Sequence, residues 1–218
     1  MKTDNSKTGY PSIDKPWLKF YSKEAIQAMI PEKTLYQNIL DHNIKNMDEI
    51  ALQYFNITIK YRTLFKRVEE CAKALLQAGI RCGDCFIVCS SGIPETVALI
   101  LAASKIGAIA NMLNPTFQTT QMIERINETG AKLLFVMDKM YSFVCESIDK
   151  TCIETVVIIP VAASLTASAR FLSALKTDKL LKTAIQNSEK YFFWSSFLKN
   201  GKNFTEETTA SYEKDRPV

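Results

Sequence analysis

The sequence predicts an α/β protein: a mainly parallel sheet flanked by helices, with a peripheral β-hairpin. Three observations lead there. Four short apolar, β-rich runs, Phe86–Ser90, Ile109–Leu113, Lys132–Met137 and Thr155–Ile159, are separated by segments of helical length that open at Pro94, Thr119 and Tyr141. That alternation builds βαβ units and a parallel sheet. The runs lack a clean apolar–polar alternation, as strands do when helices cover both faces of a sheet. Glycines punctuate the pattern, with Gly79 and Gly130 closing helices and Gly83-Asp84 forming a tight turn before a strand.

The elements follow in order. Residues 1–31 are polar and interrupted by Pro11, Pro16 and Pro31, so they read as an extended arm with one short helix, Ser22–Met29. Residues 32–218 read as one α/β unit. Its first helix, Thr34–Asn46, carries Leu35, Ile39, Leu40 and Ile44 on one stripe. Ala51–Tyr54 and Ile57–Tyr61 form a hairpin turning at Phe55-Asn56, where Asn56 tolerates the left-handed conformation. A helix from Thr63 to Ala78 buries Leu64, Val68, Cys71, Ala72 and Leu75, and Gly79 ends it. Pro94 suits a first helical turn, where its missing N–H costs little. Val161–Lys182 has a helical composition, Tyr191–Asn200 reads as a short aromatic helix, and residues 201–217 read as a loop.

Composition narrows the class. With 218 residues, 47% hydrophobic and 23% charged, the chain can bury a sizeable core. The net charge of +4 is spread along the sequence, with no dense Lys/Arg block to mark a nucleic-acid partner. Lys190, Lys199 and Lys202, near Tyr191–Trp194, read as the solvated face of a helix rather than a base-stacking platform. The first residues carry no apolar core of a signal peptide. The most apolar window, Val156–Leu175, is broken by Pro160, Ser164, Thr166, Ser168 and Arg170, so it fails as a span of about 20 apolar residues. These features predict a cytoplasmic chain with no transmembrane segment.

Cys82, Cys85 and Cys89 form a C-x2-C-x3-C run, a spacing that also occurs at metal and iron–sulfur sites. The strand reading is stronger, because Cys85 and Cys89 share one face with Ile87 as small apolar residues, and no second pair follows. The sequence therefore predicts no metal site. The seven glycines are too scattered for a phosphate loop, and neither GxGxxG nor GxxxxGK[ST] occurs. Ser90-Ser91-Gly92, between a strand and a helix, reads as a plain corner in preference to an anion nest. The lone His42 has no partner in sequence for general base work. Glu69-Glu70 and Glu206-Glu207 read as solvated faces, so no catalytic residue is predicted.

Several segments carry a family resemblance. Lys60-Tyr61-Arg62-Thr63-Leu64, Leu75-Leu76-Gln77-Ala78-Gly79, the Gly83-Asp84 strand, the Pro94-Glu95 helix with Gly107-Ala108, and Leu113-Asn114-Pro115 follow one another as in AMP-forming acyl-CoA synthetases of the adenylate-forming superfamily. Ile123–Leu134 resembles their helix-to-strand step. Trp194-Ser195-Ser196-Phe197-Leu198 resembles a segment of the long-chain fatty acid members, and Asp215-Arg216-Pro217-Val218 their lead-in to the ATP loop. The resemblance implies the N-terminal portion of an ATP-dependent fatty acid–CoA ligase that makes an acyl-adenylate and then acyl-CoA, with ATP, Mg²⁺ and CoA used by the parent enzyme. The ATP loop with its Pro-Lys-Gly end, the adenine and ribose motifs and the catalytic lysine are absent, so the fragment is expected to be inactive and to hold no cofactor of its own. Some relatives bind the CoA phosphate in the loop after the third strand, where Lys139 is the only basic residue and becomes the one candidate binding residue. The implied partner is the remainder of the same polypeptide. Tyr191–Trp194 and Val156–Ile159 are expected at a truncated edge that promotes self-association. The alternative is a non-catalytic α/β binding or interaction domain.

Overall fold

The computed structural model describes residues 8–29, 31–140, 146–165, 189–206 and 209–211. The chain divides into two compact units, residues 1–32 and 33–218.

The first unit contains more regular structure than an extended arm. Helix α1 (Pro11–Asp14) leads into a 3₁₀ turn, Pro16–Phe20, and then helix α2 (Lys23–Gln27). Two of the three prolines that suggested breaks, Pro11 and Pro16, occupy the first turns of these elements, where proline costs no hydrogen bond. The Asp14 carboxylate closes the unit's start, accepting from Thr8 N and Gly9 N at 2.8 Å each. Ser22 caps α2, its hydroxyl accepting from Ala25 N at 3.2 Å. No residue of these three elements is buried.

The second unit opens with helix α3 (Leu35–Asn43), capped by Thr34, and an antiparallel hairpin of β1 (Ile50–Tyr54) and β2 (Ile57–Lys60). The hairpin turns as expected, but Phe55 takes the positive φ of 50° instead of Asn56. Phe55 is 73% exposed and stacks edge-on against Tyr54, with centroids 4.7 Å apart. Helix α4 (Tyr61–Gln77) follows directly. Then come β3 (Cys85–Cys89), helix α5 (Pro94–Ile106), β4 (Ile109–Met112), helix α6 (Thr119–Thr129), β5 (Leu133–Met137) and β6 (Thr155–Ile159). The expected helix at Tyr141 begins on residues 141–145, and most of Val161–Lys182 falls on 166–188; both lie outside the described residues.

The main sheet has five parallel strands in the order β4-β3-β5-β6-β7. Its last member corrects the sequence reading. Tyr191–Phe193 is strand β7, and only Trp194–Asn200 is helical, as α7. Three aromatic residues that enter a helix without a glycine or proline between them look like helix in sequence. Here they pair with Val156, Val157 and Ile158.

Both faces of the sheet are covered. On one face Leu75 of α4, Leu99 of α5 and Trp194 and Phe197 of α7 meet Phe86, Val88, Phe135 and Val157. On the other, Met122 and Ile126 of α6 meet Ile87, Cys89, Leu134, Val156 and Ile158. Each such side chain contributes about 1.5–3 kcal/mol when fully buried. Val156–Ile159 and Trp194, expected at an exposed edge, are buried, and Tyr191–Phe193 are half-buried. Among the described residues, no helix is long and apolar enough to cross a membrane.

Gly201, at the end of α7, lies so close to α4 that a Cβ there would sit 2.5 Å from the Ala74 backbone. Gly201→Ala is expected to destabilise the fold by about 1–3 kcal/mol. Gly92→Ala, where a Cβ would meet nothing within 4 Å, is expected to change stability by less than about 0.5 kcal/mol. Urea unfolding of the two variants checks the pair.

Candidate functional site

The strand order fixes where a ligand crevice can open. The chain leaves β3 for β4 on one side and returns to β5 on the other. Parallel sheets bind ligands outside the carboxyl ends of the two strands flanking such a reversal. Those ends are Ser90-Ser91-Gly92 after β3 and Met137–Met140 after β5. They touch: the Ser91 hydroxyl lies 3.3 Å from Met137 Sδ.

The hydroxyls of this corner are used within it. Thr96 Oγ1 donates toward Ser90 Oγ at 3.0 Å and the Ser91 carbonyl at 3.1 Å, and Ser90 Oγ donates to the same carbonyl at 3.2 Å. Glu95 stands in the first turn of α5, where its carboxylate interacts favourably with the helix dipole and repels an anion. This geometry fits the plain strand-to-helix corner and not a cradle for a polyphosphate. Lys139 lies in a 3₁₀ turn, Asp138–Met140, directly after β5, and is exposed. It supplies one point charge beside the reversal. Its neighbour Asp138 accepts from Val161 N at 3.4 Å, tying the post-β5 turn to the segment after β6.

Sequence reading missed a buried polar relay. Glu95 and Ser164 are each 5% exposed. Ser164 Oγ donates to Glu95 Oε1 at 2.5 Å and accepts from the Arg67 guanidinium of α4 at 2.7 Å. Glu95 Oε2 is buried without a hydrogen-bond partner. The carboxylate's charge reaches its surroundings. Burial first, and then Glu95, push the Tyr54 phenol up. Burial, then Glu70 and Glu95, push the Cys71 thiol up. One signal was present in sequence, an acidic residue directly after a helix-opening proline. Its partner is 69 residues away in a segment without a clear pattern.

The remaining sequence candidates stand apart. His42 is exposed on α3, its Nδ1 2.7 Å from the Asn38 carbonyl one turn earlier. Cys85 and Cys89 line the α6 side of β3 with Ile87, and Cys82 is exposed in the turn before it. Among the described residues, no three His, Cys, Asp or Glu side chains gather to hold a metal.

Comparison with known proteins gives this arrangement a family. The profile described as "AMP-binding enzyme" matches residues 40–209, which takes in the hairpin, the whole main sheet and α7. The chain belongs to the AMP-binding enzyme family. It is 36% identical over 81 residues to the acetyl-coenzyme A synthetase of Xylella fastidiosa (strain Temecula1 / ATCC 700964), covering 37% of this chain and 12% of that protein. It is 31% identical over 121 residues to the acetyl-coenzyme A synthetase of Emericella nidulans, covering 51% of this chain and 18% of that protein. The crystal structure of the anthranilate CoA ligase AuaEII in complex with anthranoyl-AMP superposes with a TM-score of 0.66 at 16% identity, covering 86% of this chain and 32% of that one. This AMP-binding family chain thus spans less than a fifth of those curated relatives and about a third of that solved structure.

Two outcomes are expected from the site. Ser164→Ala leaves the buried Glu95 carboxylate with neither oxygen paired, and urea unfolding should show a loss of about 1–3 kcal/mol.

Among the thiols, Cys82 and Cys152 are exposed and should label in the native state, while Cys71 and Cys89 should label only after denaturation. Burial pushes the Cys89 thiol up to about 12, against about 8.5 for a free thiol. Its contribution to stability is therefore complete below the unfolded value and is lost as pH rises toward the folded one. Unfolding titrations between those limits should show a shallower alkaline decline for Cys89→Ala than for the parent.

Proposed function

We propose that the chain is the N-terminal portion of an ATP-dependent fatty acid–CoA ligase. In this reading the parent enzyme joins a carboxylate to AMP, releasing pyrophosphate, and the CoA thiol then displaces AMP to give the thioester. ATP, Mg²⁺ and CoA belong to the parent enzyme. The single observation that carries the reading is the family match over residues 40–209. The fatty acid rests on Trp194–Leu198. The acetyl-coenzyme A synthetases among the relatives bring short acids into the same trial. Residues 1–31 are an arm and 32–218 the scaffold of the first α/β subdomain. Lys139, exposed after β5, is the candidate contact for a CoA phosphate, and a cytoplasmic location completes the proposal.

The chain's role in that enzyme is to build the sheet and part of its wall. A second reading, a non-catalytic binding domain, draws support from the corner after β3, whose hydroxyls are engaged and whose helix end carries a carboxylate.

One assay separates the two. The 218-residue chain, given ATP, Mg²⁺, CoA and acids from acetate to palmitate, is expected to release no pyrophosphate above a heat-killed control. The product of the full reading frame is expected to release it with a fatty acid, and Lys139→Ala in that product should raise the KM for CoA several-fold with kcat kept. A longer product that is inert with every acid overturns the ligase reading. Pyrophosphate release by the 218-residue chain itself overturns its role as scaffold alone.

A further inference from the structure

We infer that the segment after β6, residues 161–165, is a releasable strap at the carboxyl edge of the sheet, and that the Ser164 hydroxyl is its catch. Seated, the hydroxyl stands between Arg67 and Glu95. Withdrawn, it lets those two charges pair directly. The inference holds whatever ligand the crevice takes.

The two charges carry the argument. Arg67 comes from the middle of α4 and Glu95 from the first turn of α5, and these two helices pack together. One hydroxyl keeps them apart, accepting from Arg67 Nη1 at 2.7 Å and donating to Glu95 Oε1 at 2.5 Å. A pair bridged in this way forgoes the two parallel bonds that a guanidinium and a carboxylate make when they meet. The loss is visible at the far oxygen. Glu95 is buried, and its Oε2 has no hydrogen-bond partner. A buried acceptor left unpaired is unfavourable, and a direct fork with Arg67 would satisfy both oxygens. Lifting the strap therefore loses the two bonds of the serine and gains an ion pair. Offsetting terms of this kind bring two states close in free energy, which a bistable element requires.

Among the described residues, the other ties of the strap are weak or internal. Val161 N reaches Asp138 Oδ1 at 3.4 Å, long for a hydrogen bond. Ala163 N and Leu165 N donate to the carbonyls of Pro160 and Ala162, within the turns of the strap itself. Val161 and Ala163 are only partly buried against the core, while Ala162 and Ser164 lie deepest. Side chains this small remove little apolar area from water, so little apolar burial opposes withdrawal.

The strap is one link of a closed ring around the crevice. The Ser91 hydroxyl meets Met137, Asp138 follows Met137 and accepts from Val161 N, and Ser164 returns to Glu95, three residues after Gly92. With Ser164 seated, the carboxyl ends of β3, β5 and β6 are tied together. With it withdrawn, the turn after β5 is freed from the segment after β6. That turn borders the reversal of strand order where a parallel sheet takes its ligand.

The test places a thiol on the strap. Ala162→Cys exchanges one small buried side chain for another, and its alkylation by iodoacetamide, followed residue by residue with mass spectrometry, reports each opening. In the 218-residue chain the introduced thiol should label about 10- to 1,000-fold more slowly than exposed Cys82, as a state populated at roughly 0.1–10% requires. It should label faster than buried Cys71 and Cys89, which report global unfolding. Arg67→Met in that background gives the deciding sign. It removes one bond from the seated state but the whole ion pair from the lifted one, so labelling should slow several-fold. A relay that served only to hold the strap would loosen, and labelling would quicken. Ser164→Ala should quicken labelling at least about tenfold, with Cys71 and Cys89 still protected. Should Arg67→Met leave Cys71 reactive in the native state, Arg67→Lys is read in its place. A lysine cannot form the fork, and slowing is again expected. Unchanged or faster labelling with the Arg67 variant that is read overturns the inference. So does labelling of the introduced thiol in step with Cys71, which would leave the strap no motion of its own, or as fast as Cys82, which would leave it no seated state.

Discussion

The two-sided burial of β5 is the constraint on which the rest of the fold depends. All five residues of Leu133–Met137 are buried, with Leu133, Phe135 and Met137 in one core and Leu134 and Val136 in the other. A strand without a polar face needs partners along both edges and helices over both faces, since each unpaired backbone group left in such a place costs as much as a lost hydrogen bond. Phe135 shows how far the constraint reaches. Its ring meets Phe86 of β3 edge-on at 5.5 Å, Phe197 at 5.2 Å and Trp194 at 6.2 Å. One side chain in the middle of the sheet thus positions α7, and α7 positions the three residues of β7 that precede it.

That dependence explains what could be read in the sequence. β3, β5 and β6 were legible because apolar runs buried on both faces leave a pattern no exposed element shares, and β4, though only Ala110 of it is buried, because Gly107 and Pro115 set its apolar run off from the neighbouring helices. The helix α4 was legible from its stripe of Leu64, Val68, Cys71 and Leu75, all buried as expected. β7 was not. Its three residues are too few to show a period, and its pairing with Val156–Ile158 is set by a neighbour more than thirty residues earlier. Phe55 failed for a different reason. Local propensity favours Asn56 for a positive φ, but Phe55 takes it at the exposed tip of the hairpin, and its ring contact with Tyr54 offsets part of the strain.

The buried relay was the least legible feature because its meaning is wholly tertiary. Arg67 follows the polar face of α4, Glu95 reads as a favourable first-turn acid, and Ser164 sits in a segment with no period. Each residue has an ordinary local explanation. Only the packing of α4 on α5 and the return of the chain after β6 place the three in a line, with the serine hydroxyl accepting from a cation and donating to an anion. A hydroxyl in that position is polarised in both directions, so its two bonds reinforce one another in a medium of low dielectric. The relay fastens the segment after β6 to two helices that otherwise meet through apolar side chains and the Lys105–Glu69 ion pair at 2.8 Å.

The same carboxylate decides what the carboxyl edge of this sheet can do. The amino end of a helix carries about half a positive charge and is the usual place for a phosphate. In α5 that charge faces the first-turn carboxylate of Glu95, and the hydroxyls of Ser90 and Thr96 are bonded within the turn. A polyphosphate at this corner would meet a buried anion and find no hydroxyl free to receive it. Lys139, one exposed cation on a short turn, can steer a phosphate but cannot enclose one. In the proposed ligase the grip on phosphate must therefore come from polypeptide added to this scaffold.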